Sequence, residues 1–173
     1  MKKLLLIVSL VSSALFSCSN EPLDDSMVGD SIIGNWKLTE VNIYLPNGFD
    51  LNNDGVRSTN LLDEIDCANK EVLTFDKNGV MQSNLTFNPD VDIYMLDESK
   101  QEYSFSVQCD IEGAIGYATS FTKEGETIIY NGRTALQVGD KLYMVFKSAI
   151  GVFNSDGSKL LNMEDLNLVY SRQ

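Results

Sequence analysis

The chain has 173 residues, with 13 Lys and Arg against 25 Asp and Glu and a formal net charge of −12. Such acidity argues against nucleic acid and against anionic lipid head groups as partners, because both repel a negative surface. Histidine is absent, which excludes Ser-His-Asp and Cys-His catalytic sets and His-ligated zinc or haem. Since no other catalytic motif stands out, we predict no enzyme activity and no organic cofactor.

Residues 1–17 have the pattern of a secretory signal peptide. A basic MKK start precedes an apolar run over residues 4–16, which is shorter than the ~20 residues of a membrane-spanning helix. The run ends in the sequence LFSC, which resembles the lipobox of bacterial lipoproteins. The resemblance implies cleavage before Cys18 and attachment of diacylglycerol to its thiol. The alternative is an ordinary signal peptide that contains a cysteine.

Residues 18–31 are polar, acidic and without periodicity, which predicts a flexible tether behind the lipidated cysteine. Acidic residues at this place also resemble the surface-export signal of some Gram-negative lipoproteins. Two or more acyl chains hold a protein firmly on a membrane. We therefore expect a lipid anchor in the outer membrane, on its periplasmic or cell-surface face. The sequence names no protein partner.

Residues 32–173 are predicted to form one β domain. In the first strand, regular alternation would place Trp36 and Leu38 on one face and Val41 and Ile43 on the other. Because all four are apolar, this pattern predicts a bulge or bend between the two pairs. The only helical pattern is TNLLDEID, residues 59–66, in an insertion after that strand.

The insertion begins with a D-x-N-x-D-G order over residues 50–55, which is typical of a calcium loop. Position 12 of an EF-hand loop would be Leu61, which cannot bind calcium, so Asp63 or Glu64 on the helix would close the site. The predicted ligands of a structural calcium ion are Asp50, Asn52, Asp54, Val56 through its carbonyl, and Glu64. The alternative is a run of Asx turns, since Asn, Asp and Gly are also common turn residues.

The chain has three cysteines. With Cys18 assigned to lipid, Cys67 and Cys109 remain, and an even pair in an exported chain favours a disulfide. Two free buried thiols are the alternative. A disulfide here would fix the far end of the insertion.

The rest of the chain alternates as short strands at the spacing of a barrel or sandwich, about eight to ten in all. The sequence EYSFSVQC, residues 102–109, alternates cleanly. Hairpin turns are predicted at Asp76–Gly79, Asn131-Gly132 and Gly139-Asp140. Residues 148–164 are expected to form a loop around Asn154–Gly157, with room for a short helix.

Gly34-Asn35-Trp36-Lys37-Leu38 and Phe75-Asp76-Lys77-Asn78-Gly79 resemble the G-x-W-x-L and F-x-x-x-G elements of lipocalin-like domains in bacterial lipoproteins. The resemblance covers roughly residues 32–172. It implies an antiparallel up-and-down β-barrel of about eight strands, with Trp36 at its closed end. In larger members an Arg of the last strand covers that Trp, and Arg172 lies near the matching place. Plain core packing is the alternative role of Trp36.

The resemblance also implies a function. We expect a lipid-anchored module whose barrel binds a small apolar ligand. An eight-stranded barrel is just wide enough for side chains or for one small ligand. The alternative is a structural or protein-interaction lipoprotein with a filled barrel and a calcium-stabilised loop. Inward-facing candidates are Leu73, Phe75, Phe105, Val107, Leu142, Met144 and Phe146.

Overall fold

A computed structural model describes residues 31–109 and 116–173. The predicted signal peptide, the lipidation site at Cys18 and all but the end of the tether lie outside the described residues. The helix α1 (Leu61–Glu64) has four residues, and no described helix has the length and apolar character needed to cross a bilayer. Asn60 caps this helix by accepting a hydrogen bond from the Leu62 N–H.

Ten strands make up most of the described chain. In chain order they are β1 (Gly34–Ile43), β2 (Val72–Phe75), β3 (Val80–Ser83), β4 (Pro89–Asp97), β5 (Glu102–Cys109), β6 (Tyr117–Glu124), β7 (Thr127–Tyr130), β8 (Arg133–Val138), β9 (Lys141–Asn154) and β10 (Leu160–Arg172). The helix α1 lies in the insertion between β1 and β2.

Eight of these strands close into an antiparallel barrel. Its order is β1-β2-β3-β6-β7-β8-β9-β10, and β10 pairs back with β1. Asn131 and Gly132 both have positive φ, at 44° and 70°, in the tight turn between β7 and β8. That conformation suits an Asn-Gly pair in a two-residue hairpin. The predicted all-β, up-and-down barrel with one short helix after the first strand is confirmed.

The predicted bulge in the first strand is also confirmed. The register between β1 and β10 shifts between Leu38 and Glu40. Because a strand alternates its side chains, one extra residue moves the following positions to the opposite face. Trp36 and Leu38 below the bulge are buried, and so are Val41 and Ile43 above it. The bulge therefore keeps the apolar side chains on both sides of it directed into the interior.

The hairpin β4–β5 is inserted between β3 and β6. It leaves the meander and lies beside the upper part of β9, where β4 runs parallel to it with Ile93 opposite Val152. The strands β9 and β10 are long enough to reach this hairpin because they extend beyond their barrel partners. The inserted hairpin thus covers one side of the barrel mouth.

The insertion of residues 45–67 spans the gap between β1 and β5. On one side, the Ile43 N–H donates to the carbonyl of Thr59 at 3.0 Å. On the other, the rings of Phe49 and Phe105 pack edge to face at 5.4 Å. The predicted disulfide joins Cys67 to Cys109. The covered side of the mouth is therefore tied to the barrel wall by hydrogen bonds, ring packing and a covalent link.

The opposite end of the barrel is sealed by Trp36. Its ring is completely buried, and its Nε1–H donates to the carbonyl of Ile32 at 2.8 Å. The guanidinium of Arg172, paired with Trp36 across β1 and β10, lies 4.5 Å from the ring centroid. Arg172 also donates to the carbonyls of Ser31 and Ile33. The last strand thus covers the tryptophan, as the lipocalin resemblance implied.

Two parts of the fold differ from the sequence-based expectation. The strand β4 was not predicted, although Val91, Ile93 and Met95 alternate within it. Residues 148–164 are the tips of β9 and β10 with a turn between them, and not a long loop with a short helix. The first depends on the parallel pairing of β4 with β9, a contact between distant segments that local patterns do not reveal. The second is an antiparallel hairpin of two adjacent segments.

Candidate functional site

The interior of the barrel holds a cavity of about 420 Å³ above the sealed end. This lies within the usual range of small-molecule sites, roughly 300–1,000 Å³. Its wall is mostly apolar, with side chains from β1, α1, β2, the segment after β3, β9 and β10. Among them are Leu38, Leu61, Leu73, Phe87, Met144 and Leu168. The barrel is therefore not filled by its own side chains.

One acidic side chain, Glu71, lies in the wall of this cavity. It precedes β2 and is only 4% exposed. The Tyr170 hydroxyl donates to its Oε1 at 2.7 Å, and the Phe87 N–H points to its Oε2 at 3.4 Å. Burial raises the pKa of Glu71, and these hydrogen bonds oppose the rise in part. A buried carboxyl is thus held by two donors, one from β10 and one from the segment after β3.

Three tyrosines line the same cavity as Glu71. Burial is the main cause that raises the pKa of Tyr170, Tyr130 and Tyr117, and the nearby Glu71 charge adds to it. Their hydroxyls therefore stay protonated and able to donate at neutral pH. The Tyr130 hydroxyl contacts only the sulfur of Met144, at 3.5 Å, among the described residues. A thioether is a weak acceptor, so this hydroxyl can donate to a better one.

Arg133 lies at the mouth of the cavity, at the first position of β8. Its guanidinium stacks on the ring of Phe146, 4.7 Å from the centroid. The side chain is exposed. The mouth thus combines a cation with aromatic and apolar surface.

The predicted inward-facing residues are brought together only in part. Leu73, Met144 and Phe146 line the cavity, and Phe75 and Leu142 are buried in the core. Phe105 and Val107 lie on β5, outside the barrel wall. Neither Glu71 nor Arg133 was predicted from the sequence. Each is a charged residue at the edge of a predicted strand, and Arg133 also follows a predicted hairpin turn, which were the available signals.

The predicted calcium loop is folded as a series of Asx turns. Asn52 Oδ1 accepts from the Asp54 N–H at 3.0 Å, and Asp54 Oδ1 accepts from the Val56 N–H at 2.7 Å. Asp50 Oδ2 accepts from the Gly55 N–H at 3.2 Å. Glu64, only 5% exposed, accepts from the Leu51 N–H at 2.9 Å. The side chains predicted to bind calcium therefore bind backbone N–H groups.

The fit of this loop to calcium is partial. Oδ1 of Asp50 is buried with no hydrogen-bond partner in the described chain, which leaves one oxygen free to bind a cation. Within residues 31–109 and 116–173, however, no three acidic, His or Cys side chains are grouped closely enough to hold a metal ion. Calcium prefers several oxygen ligands at once. Calcium binding by Asp50, Asn52, Asp54, Val56 and Glu64 stays a prediction.

Comparison with known proteins adds no family assignment. No protein-family model matches the chain, and no match was found among curated protein sequences or solved structures. The resemblance to lipocalin-like domains consequently rests on the residues quoted above.

We predict that Glu71 makes stability depend on pH. Because burial raises its pKa above the ordinary value of 4.5, the folded protein binds this proton more tightly than the unfolded chain does. The free energy of unfolding should therefore fall as pH rises from the unfolded pKa through the folded pKa. Urea unfolding over this pH range should show a decline in the wild type that is smaller in Glu71→Gln.

The exposed Glu124→Gln is the matched control for that experiment, since it removes a carboxylate from the surface. Its free energy of unfolding should decline with rising pH as steeply as that of the wild type does. Parallel curves for wild type and Glu71→Gln would show that Glu71 does not titrate differently in the folded state.

A calcium titration tests the loop. If calcium binds, thermal melts should show stabilisation of the wild type by about 2.7 kcal/mol at a free calcium concentration of roughly a hundred times Kd. The Asp50→Ala/Asp54→Ala variant should show no calcium-dependent shift. Asp156→Ala, which removes an acid from the β9–β10 turn, should respond as the wild type does. An unchanged melting temperature of the wild type at millimolar calcium would show that the loop is a polar turn and not a calcium site.

Proposed function

We propose that this protein is a lipid-anchored lipoprotein of the outer membrane whose lipocalin-like barrel binds a small apolar ligand. The observation that carries the binding role is the mostly apolar cavity of about 420 Å³ inside a closed barrel. Burying apolar ligand surface there is favourable by roughly 25 cal/mol per Å². The anchoring role is supported by the lipobox-like sequence that ends at Cys18.

The construction of the mouth supports ligand entry from one side. The barrel is sealed below by Trp36 and Arg172, and part of its upper end is covered by β4, β5 and the disulfide-linked insertion. Arg133 and Asn131, at the turn between β7 and β8, line the cavity and are exposed. A ligand would therefore enter beside this turn.

Ligand binding is tested with a cavity-filling substitution. Leu168 lines the cavity on β10, so Leu168→Trp should occupy the space that a ligand needs. A neutral apolar fluorophore, N-phenyl-1-naphthylamine, should bind the wild type saturably and bind Leu168→Trp roughly tenfold more weakly or worse, a loss of ~1.4 kcal/mol.

The neighbouring Asn167→Trp is the control for added indole surface, because adjacent residues of a strand face opposite sides. It should bind the fluorophore as the wild type does, and thermal melts should show all three proteins folded. Equal binding by the wild type and both variants would place the fluorophore outside the barrel. Absence of binding to the wild type would contradict the proposed role.

Lipid anchoring is tested on the full-length chain in a Gram-negative host. The wild type should incorporate labelled palmitate and fractionate with the outer membrane, because two or more acyl chains anchor stably. Cys18→Ser should lose the label and stay unprocessed, while Ser19→Ala should behave as the wild type does. A wild-type chain that carries no label would favour the alternative of an ordinary signal peptide.

A further inference from the structure

The chain has three arginines. Arg133, at the cavity mouth, differs from the other two. Arg172 faces Asp140 at 3.5 Å, and Arg57 donates to the carbonyls of Asn47 and Gly48 at 3.5 and 3.3 Å. Arg133 forms no salt bridge with any carboxylate in the described ranges. Five guanidinium N–H donors are thus held beside an apolar cavity without an acidic partner from these ranges.

Two hydroxyl groups lie within the electrostatic reach of this guanidinium. The Arg133 charge opposes the effect of burial on the pKa of both Tyr117 and Tyr130. Tyr130 pairs directly with Arg133 across the β7–β8 turn, and both tyrosines line the cavity. An oxyanion placed near the guanidinium would therefore have hydroxyl donors in its neighbourhood as well. Hydrogen bonds to charged groups contribute more than those between neutral groups.

The acidic side chain of the cavity does not provide an equivalent site for a cation. Both oxygens of Glu71 already face donors, Tyr170 and the Phe87 N–H. Burial raises the pKa of Glu71, which weakens its preference for the charged form. A bound amine would have to compete with these donors and lose its own hydration. An anion at Arg133 would displace no hydrogen bond to a carboxylate of the described chain and, because Arg133 is exposed, would keep part of its hydration.

We propose that the cavity takes an amphiphile with a carboxylate head, which binds Arg133 at the mouth while its alkyl chain fills the apolar interior. This inference rests on the proposed binding of apolar ligands. The space suits a chain of moderate length: 420 Å³ holds about fourteen methylene or carboxylate atoms if each takes the ~30 Å³ of a water molecule. Decanoate is close to this size. The ring atoms of N-phenyl-1-naphthylamine each take less volume, so the fluorophore fits the same space.

The test compares three probes that share one alkyl chain: decanoate, decan-1-ol and decylamine. Each is titrated at neutral pH as a competitor of N-phenyl-1-naphthylamine bound to the wild-type protein. Decanoate should bind roughly tenfold more tightly than decan-1-ol, because it adds charge-assisted hydrogen bonds to the same chain burial. Decylamine should bind no better than decan-1-ol.

Substitution of the arginine identifies the source of the preference. Arg133→Met keeps a long apolar side chain on Phe146 but removes the charge, so decanoate should fall to the affinity of decan-1-ol while decan-1-ol itself is unaffected. Lys123→Met is the control for net charge. Lys123 is exposed near the end of β6 that lies away from Tyr117. This variant should keep the full preference for decanoate.

The outcomes separate this inference from the proposed function. If decanoate and decan-1-ol bind alike, or if decylamine binds best, the carboxylate site is overturned while apolar binding stands. A decanoate preference that survives Arg133→Met would also overturn it. If none of the probes, including the fluorophore, binds the wild type, the proposed function itself fails.

Discussion

The pairing of the first strand with the last is the constraint on which the rest of this structure depends. β10 pairs with β1 from Trp36 opposite Arg172 up to Ile43 opposite Leu166. This pairing turns a meander of antiparallel strands into a closed wall and removes its free edges. It also places the guanidinium of Arg172 on the tryptophan that seals the lower end. A cavity exists only because the wall closes above that seal.

Local features of the sequence were sufficient for an all-β domain of the barrel or sandwich kind, and the choice of an up-and-down barrel came from the lipocalin resemblance. Alternating side chains gave most of the strands, and residues with a preference for positive φ, such as Gly79 and Asn131, marked the hairpin turns. The parity change between Leu38 and Val41 predicted the bulge. These signals all act over a few residues. The placement of β4 beside β9 depends on a parallel pairing of distant segments. Local patterns therefore predict neither the length of β4 nor the strand beside which it lies.

The candidate site was less predictable than the fold, because its members share no motif. Glu71 precedes β2, Tyr130 and Arg133 share the β7–β8 hairpin, and Tyr170 lies on β10, so these three parts of the chain line one cavity only when the barrel closes. In the sequence, Glu71 and Arg133 look like ordinary charged residues at the ends of strands. Their different roles follow from burial alone: Glu71 is enclosed, and Arg133 is exposed. Conversely, the D-x-N-x-D-G order was conspicuous, yet its side chains mostly serve the loop's own backbone.

The same difference in burial fixes how an amphiphile would lie in the cavity. A charged head placed deep inside would lose its hydration beside Glu71, whose oxygens already face two donors. At the mouth, the head would keep contact with water and gain the guanidinium of Arg133, which lies over the ring of Phe146. The alkyl chain has the opposite preference, since the wall below is largely apolar. Both ends of the proposed amphiphile would therefore favour one orientation, with the head outward and the chain toward Trp36.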